Sequence, residues 1–206
     1  MTALAQTIGR RNTAQASAAT DVVLVVGASL FMALLAQLTI KLPFTPVPIS
    51  GQTLGALLIG GSLGALRGGA ALGLYLAWGA VGLPFFAEGE GGASHLGFAT
   101  ASAGYLWGML IAAVVIGWLA QKGWDRSLGS AIGAMVIGEI IIFTLGVVWL
   151  SQAIDVPIVG SAEAMDDALD FGLYPFVIGD LLKLLIAAAA LPAAWRLAGH
   201  DKTFKR

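Results

Sequence analysis

The chain alternates between long apolar stretches and short polar segments. Six apolar stretches are each predicted to form a helix, at residues 22–40, 52–66, 69–83, 103–120, 128–150 and 173–197. A helix needs about 20 apolar residues to cross a hydrocarbon core of about 30 Å. The pattern therefore predicts an all-α integral membrane protein with six transmembrane helices, surrounded by a lipid bilayer.

The second and third stretches are short for a membrane span and rich in glycine. Short helices of small residues usually pack inside a bundle, where helix backbones approach each other closely. We therefore interpret both stretches as inner transmembrane helices. The alternative is one re-entrant hairpin that enters and leaves the membrane on the same side.

Composition favours a membrane protein over a soluble domain. Hydrophobic residues make up 58% of the 206 residues and charged residues 11%, against about 45–50% and 25% in soluble proteins. No basic run of the kind that follows nucleic-acid phosphates is present, so no nucleic-acid partner is expected. Cysteine is absent, which excludes disulfides and thiolate metal sites, and no cofactor is predicted.

The charges between the apolar stretches are segregated by sign. With six spans, one side carries the basic residues Arg10, Arg11, Arg67, Lys122, Arg126, Arg196, Lys202, Lys205 and Arg206. The other side carries Lys41 and the acidic residues Glu88, Glu90, Asp155, Glu163, Asp166, Asp167 and Asp170. Cytoplasmic loops of membrane proteins carry an excess of Lys and Arg. Both termini are therefore predicted to be cytoplasmic in a multi-pass protein of the cell membrane, with a terminal segment 1–21, a transmembrane domain 22–199 and a tail 200–206.

Three ionisable residues, Glu139, Asp180 and Lys183, lie inside the apolar stretches. Each costs roughly 2.5–3.5 kcal/mol at the centre of a membrane, so such residues are candidates for function. Asp180 and Lys183 are three residues apart, which puts them on one helix face. If the last span enters near Leu173, they lie about 10 Å and 15 Å deep at about 1.5 Å per residue. The pair offers an acceptor and a donor to a solute; the alternative is a structural ion pair.

The segment after the first span, residues 41–53, contains three prolines but remains apolar. Proline at positions 43, 46 and 48 prevents a regular helix and favours extended backbone. An apolar loop with a stiff backbone suits a lid over a pocket, and Gln52 and Thr53 behind it offer hydrogen bonds to a polar solute. The alternative is a plain connector with a helix cap.

Two further sets of residues are candidates. Phe86, in the glycine-rich segment 82–92, and Tyr105 are expected to line an apolar pocket, although aromatic residues near an interface are often membrane anchors. Ser29 and Ala33 in the first span are four residues apart, a spacing of small residues that allows close helix packing. They are expected to pack either against a partner protein or inside the bundle.

Several short segments together resemble the BioY family. These are 46–55 (Pro-Val-Pro-Ile-Ser-Gly-Gln-Thr-Leu-Gly), Leu74-Tyr75, 82–85 (Gly-Leu-Pro-Phe), 104–106 (Gly-Tyr-Leu) and 179–183 (Gly-Asp-Leu-Leu-Lys). BioY proteins are the biotin-specific substrate-binding (S) components of energy-coupling-factor (ECF) transporters. The resemblance implies a six-helix S-component bundle with an outward-facing biotin pocket. It also implies that Asp180 and Lys183 contact biotin. Glu88 and Glu90 depart from the family, whose members often have small residues there, and add negative charge at the mouth.

The resemblance implies partners that supply energy, namely an ECF transmembrane coupling protein and two ATPase subunits. This chain has no Gly-x-x-x-x-Gly-Lys-Ser/Thr loop for nucleotide phosphates, so it is not expected to hydrolyse ATP. An enzyme is not predicted either, because His95 and His200 lie outside the spans and no Gly-x-Ser-x-Gly elbow is present. The competing hypothesis is another vitamin carrier or a proton-coupled transporter that uses Glu139, Asp180 and Lys183.

Overall fold

A computed structural model describes Leu4 and residues 14–160 and 167–197, and these residues are mostly helical. We number the helices α1 (Ala14–Ala36), α2 (Gln52–Leu63), α3 (Ala65–Ala80), α4 (Ala103–Gln121), α5 (Leu128–Ala153), α6 (Ala168–Gly172) and α7 (Val177–Leu197). Two short strands, β1 (Thr39–Ile40) and β2 (Ile49–Ser50), separate α1 from α2, and two 3₁₀ turns, Ala87–Gly89 and Ala93–Leu96, lie between α3 and α4.

Four helices are long and apolar enough to cross a membrane: Ala18–Ala36, Ala103–Gln121, Leu128–Ala153 and Val177–Leu197. Their apolar side chains are not confined to one face. Leu34 of α1, Ile140 of α5 and Leu182 of α7 are each about 60% exposed, as is expected of a surface that contacts lipid rather than water. The structure is thus a mostly helical protein with four candidate membrane spans among the described residues.

Helices α2 and α3 coincide with the two short predicted spans, and their lengths are 12 and 16 residues. Only Gly64, with a φ of 81°, separates them. Gln52 at the start of α2 bonds to Tyr75 near the end of α3, so the two helices run antiparallel. A Cβ at Gly60 would lie 2.6 Å from the carbonyl oxygen of Ala113. Glycine there lets α2 approach the backbone of α4, as expected for an inner helix.

Most predicted helix boundaries differ from the structure by a few residues, and two of the differences affect the region around the cavity. Helix α1 ends at Ala36 rather than near residue 40, because Thr39 and Ile40 pair with Ser50 and Ile49 in an antiparallel hairpin. Helix α7 begins at Val177 rather than near Leu173, just after Pro175, which disfavours helical backbone in the residue before it. Asp180 and Lys183 are therefore about 4.5 Å and 9 Å along α7 at about 1.5 Å per residue, shallower than expected.

One end of the bundle carries the basic residues between helices. Arg67 at the start of α3 forms an ion pair with Asp21 of α1. Trp195 near the end of α7 donates to Asp125 in the α4–α5 loop at 2.6 Å, and Arg126 lies over its ring. These contacts join α1 to α3, and the α4–α5 loop to α7, at the ends of the helices that are predicted to be cytoplasmic. The remaining charges used for the topology, at positions 10, 11, 163, 166, 202, 205 and 206, lie outside the described residues, as does His200.

The acidic end includes the connection between α5 and α7. Asp167 caps α6, and its carboxylate accepts hydrogen bonds from the backbone N–H groups of Gly160 at 2.6 Å and Asp170 at 2.7 Å. These donors hold the pKa of Asp167 below its usual range, because they favour the charged carboxylate. The hydrogen bond from Gly160 attaches the start of α6 to the segment that follows α5. Phe171 of α6 accepts a hydrogen bond from Thr45, in the loop between β1 and β2.

Candidate functional site

A cavity of about 230 Å³ opens at the acidic end of the bundle, between α2, α4, α5 and α7. All six residues predicted from the sequence to contact a solute line it: Gln52, Thr53, Phe86, Tyr105, Asp180 and Lys183. Its other lining residues include Pro46, Val47 and Pro48 of the loop after α1 and the side chains of Ser102, Met109, Phe143 and Phe176. The fold therefore brings these six residues together around one cavity, although they are far apart in the sequence.

The polar floor of the cavity is a hydrogen-bonded ion pair. Lys183 Nζ lies 2.7 Å from Asp180 Oδ1, and the two side chains are 16% and 5% exposed. The same ammonium donates to the carbonyl oxygen of Ser50 at 2.6 Å and to Thr53 Oγ1 at 3.1 Å. Thr53 in turn donates to Asp180 Oδ1 at 2.7 Å. All three protons of the ammonium thus have acceptors.

Asp180 retains one oxygen for a further donor. Thr53 and Lys183 both donate to Asp180 Oδ1, and Oδ2 accepts no hydrogen bond from any described residue. Asp180 also lies in the first turn of α7, where the helix dipole favours a negative charge. The site therefore offers a hydrogen-bond acceptor, held in place by Thr53 and Lys183, to an N–H group in the cavity.

Gln52 belongs to a second polar chain beside the ion pair. Its amide donates to the Tyr75 hydroxyl at 2.7 Å, and its carbonyl oxygen accepts from Ser50 Oγ at 2.9 Å. Tyr75 is fully buried and was noticed in the sequence only as part of a motif. Its function here is to orient Gln52, an effect that no single-sequence signal indicates.

The loop between β1 and β2 covers the cavity. Thr45 Oγ1 donates to the carbonyl oxygen of Phe171 in α6 and accepts from the backbone N–H of Val47. Val47 is 5% exposed, and Pro46 and Pro48 line the cavity on either side of it. This arrangement agrees with the lid predicted from the prolines.

Aromatic side chains form the apolar walls. The ring of Tyr105 contacts Phe143 with the centroids 6.1 Å apart and Phe176 at 6.5 Å. The Tyr105 hydroxyl donates to the carbonyl oxygen of Gly172 at 2.7 Å. Phe86 packs edge-on against Tyr75 at 5.7 Å on the opposite side. Phe143 and Phe176 were not predicted, because a phenylalanine within an apolar span carries no mark of a cavity.

The acidic residues at the mouth are paired with basic ones. Lys41 Nζ lies 3.2 Å from Glu88 Oε2, and His95 Nε2 lies 3.3 Å from Glu90 Oε2. The Lys41–Glu88 pair joins the covering loop to the α3–α4 connection. The lysine partner reduces the negative potential that an anion would meet at the mouth.

Three residues from the sequence analysis lie away from the cavity. Glu139 faces a separate apolar cleft beside α5 and does not line the cavity. Ser29 and Ala33 are 0% and 6% exposed, and Ser29 Oγ donates to the carbonyl oxygen of Val26 in its own helix. Burial of both small residues corresponds to the second alternative, packing inside the bundle.

The fold and the cavity define a class of protein, a membrane-embedded helical bundle that holds a small solute beneath a covering loop. The family model described as "BioY family" matches residues 9–200. The chain therefore belongs to the BioY family, which is a family of transport components and not of enzymes.

Curated relatives and a solved structure agree with this assignment. The chain is 32% identical to the biotin transporter BioY of Rhizobium etli, with 72% of this chain and 78% of that protein covered. It is 36% identical to the biotin transporter BioY of Thermotoga maritima, with 72% and 81% covered. The crystal structure of the S-component for biotin from an ECF-type ABC transporter superposes with a TM-score of 0.75 at 26% identity, over 92% of this chain and 95% of the other.

Proposed function

We propose that this chain captures biotin from outside the cell and delivers it for uptake as the S component of an ECF transporter. The observation that carries this proposal is the cavity, where a hydrogen-bond acceptor, a lysine and an aromatic wall meet beneath a loop. Relatives that are named biotin transporters support the identity of the solute. A small apolar pocket with a few fixed polar groups is the usual form of a small-molecule site.

Biotin has groups that match each part of the cavity. A ureido N–H would donate to Asp180 Oδ2, while Lys183 keeps Asp180 ionised from the other side. The thiophane ring would pack among Phe86, Tyr105 and the lid. The valerate carboxylate would accept from Lys183 by replacing its contact with Thr53, which at 3.1 Å is the longest of the three. Gln52 would add one further hydrogen bond.

We further propose that α2 and α3 complete six transmembrane helices, so that both termini are cytoplasmic. The positive-inside rule supports this orientation. Basic residues occur where α2 joins α3, where α4 joins α5 and near the end of α7, away from the cavity: Arg67, Lys122, Arg126 and Arg196. The cavity would then face outward from the plasma membrane. The segments 1–21 and 200–206 would be cytoplasmic on either side of the domain 22–199.

Energy for uptake would come from a coupling protein and two ATPase subunits. The structural relative is an S-component from an ECF-type ABC transporter, which supports a setting of this kind. Capture without these partners and uptake only with them is the expected behaviour. Because Ser29 and Ala33 are buried, a role for them at the partner surface would be indirect, through the packing of α1.

Equilibrium binding of radiolabelled biotin to the purified protein in detergent tests the proposal. We expect saturable binding of one biotin per chain. Uptake into vesicles that is driven by a proton gradient, with no ATPase partner present, would instead favour the proton-coupled carrier. No saturable binding at all would refute biotin capture.

A matched pair of threonine variants locates the site. Thr53→Val removes a hydroxyl that contacts both members of the ion pair, whereas Thr144→Val makes the same change outside the cavity. Thr53 holds Asp180 Oδ1 through a hydrogen bond of 2.7 Å, so Thr53→Val should release the acceptor carboxylate from its position and weaken binding. Thr144→Val should leave it unchanged. Equal effects of the two changes would move the site elsewhere.

A further inference from the structure

Glu139 is a buried acid without a hydrogen-bond partner in the described part of the chain. It lies near the middle of the 26-residue helix α5 and is 9% exposed. Neither of its carboxyl oxygens has a hydrogen-bond partner among the described residues. A lone ionised carboxylate in apolar surroundings is strongly unfavourable, and such a group usually takes up a proton instead.

The surroundings of Glu139 are a cleft of about 450 Å³ between α5, α6 and α7. Its other lining side chains are apolar except for the hydroxyl of Thr144. Leu169 of α6 lines the cleft. Helix α2, which also contacts α5, contains no titratable residue. The cleft itself therefore offers no positive charge to an ionised Glu139.

One aromatic layer separates Glu139 from the cavity. Phe143, one helical turn after Glu139, lines both the cavity and the cleft. Leu184 lines the cleft, while its neighbour Lys183 lines the cavity. The charged groups of α7 that line the cavity together with Phe143 are Asp180 and Lys183.

The remaining titratable groups near α5 are few. On the α4 side the group nearest the cavity is the Tyr105 hydroxyl, which is bonded to a backbone carbonyl. In α6, Asp170 lies outside the cleft. The charge balance at Glu139 is therefore set by the ion pair and by whatever occupies the cavity.

Charge counting links Glu139 to the solute. At the floor of the cavity Asp180 and Lys183 sum to zero, so a bound anionic solute adds one net negative charge beside them. An ionised Glu139 behind Phe143 would add a second negative charge at short range, with no cation left to balance it. Like charges in a protein interior repel strongly because the effective dielectric constant is low.

We propose that Glu139 is a proton-binding residue of the site, which is neutral while the anionic solute occupies the cavity and whose ionisation weakens binding. This inference rests on the proposed function, since it takes the solute to be a carboxylate. By thermodynamic linkage the solute and the proton strengthen each other's binding by the same factor. Glu139 does not touch the solute. Its charge alters the binding free energy of the anion from outside the cavity, and in this sense it is a positioning residue.

The test is the affinity for biotin, measured by radioligand binding in detergent between about pH 6 and 10. For the wild type, affinity should be constant at the acidic end and then fall by up to about tenfold per pH unit, the limit for one proton. Glu139→Gln, which is permanently neutral, should hold its affinity to a higher pH than the wild type. Thr144→Val, a neutral change in the same cleft, should follow the wild type.

A second measurement does not depend on the variant folding. Calorimetry of the wild-type protein in buffers of different ionisation enthalpy counts the protons taken up with the solute. Uptake should rise towards one proton per biotin as the pH increases, and it should be absent with biotin amide, which carries no charge.

The outcomes separate the two proposals. If biotin binds but the pH profiles of the wild type and Glu139→Gln coincide, or biotin amide takes up the same proton, the proton linkage is wrong and capture stands. If Glu139→Gln weakens binding equally at every pH, Glu139 serves the site as an anion, and the linkage is again wrong. If the wild type does not bind biotin at any pH, the proposed function itself fails.

Discussion

Replacing Lys183 by methionine removes the only positive charge of the ion pair and keeps the length of the side chain. Asp180, which is 5% exposed on its side chain, would then retain one hydrogen bond, from Thr53 at 2.7 Å. The same change leaves the carbonyl oxygen of Ser50 without the hydrogen bond that it accepts from Lys183 in the wild type. One substitution therefore disturbs the ion pair and the attachment of β2 to α7.

The size of the effect follows from burial. Removing one partner of a buried ion pair costs about 3–5 kcal/mol, because the other charge is left uncompensated. The remaining contact from Thr53 and the 16% exposure of Lys183 favour the lower end of this range. For a bound carboxylate, truncating a buried charged partner costs about 2–5 kcal/mol. We expect Lys183→Met to lower the stability by about 3 kcal/mol and the affinity for biotin by at least about 30-fold.

A double variant separates stability from binding. In Asp180→Asn/Lys183→Met both charges are gone, and replacing a buried pair as a whole is often neutral for stability. Thermal unfolding in detergent should therefore return to near the wild-type midpoint. Biotin affinity should stay at least about 30-fold below wild type, because neither charge is restored. Lys122→Met is the matched control, since Lys122 lies over the ring of Trp118, outside the cavity.

Two results would refute this reasoning. Recovery of biotin affinity together with stability in the double variant would make the pair purely structural. Loss of affinity in Lys122→Met equal to that in Lys183→Met would mean that the assay responds to general charge rather than to the site.

Three other substitutions have defined outcomes. Gly60→Ala puts a methyl group against the carbonyl of Ala113 and should lower stability by about 1–3 kcal/mol, measured as a lower unfolding midpoint. Asp167→Asn should be less stable than wild type at neutral pH, because folding lowers the pKa of the Asp167 carboxyl and so stabilises the charged form. The difference in stability should be present above about pH 4 and should disappear as the pH falls through the pKa of Asp167 in the folded protein. Lys41→Gln leaves Glu88 uncompensated and should slow biotin association at low salt, with little change in stability; an unchanged association rate would show that the mouth charges do not steer the solute.

Much of the organisation of this chain is readable without a structure. Each of the six stretches predicted from hydropathy corresponds to a helix, namely α1 to α5 and α7, because a helix buried in lipid or protein leaves a continuous apolar stretch in the sequence. Asp180 and Lys183 could be paired because residues three apart on a helix always share a face. The prolines of the loop after α1 excluded helix for a local steric reason. Six transmembrane spans and cytoplasmic termini remain predictions, since four helices meet the length for a span on their own.

What the sequence could not determine is which helix faces meet. Thr53 and Asp180 are 127 residues apart and share a hydrogen bond, and the Ser50 carbonyl that holds Lys183 is 133 residues away. Helices in this bundle are apolar on several faces, so hydrophobic periodicity does not indicate the side that turns inward. For the same reason the sequence grouped Glu139 with the ion pair, whereas the fold separates them by the ring of Phe143. The rotation of each helix about its axis is set by close packing between helices, and it exists only in the tertiary structure.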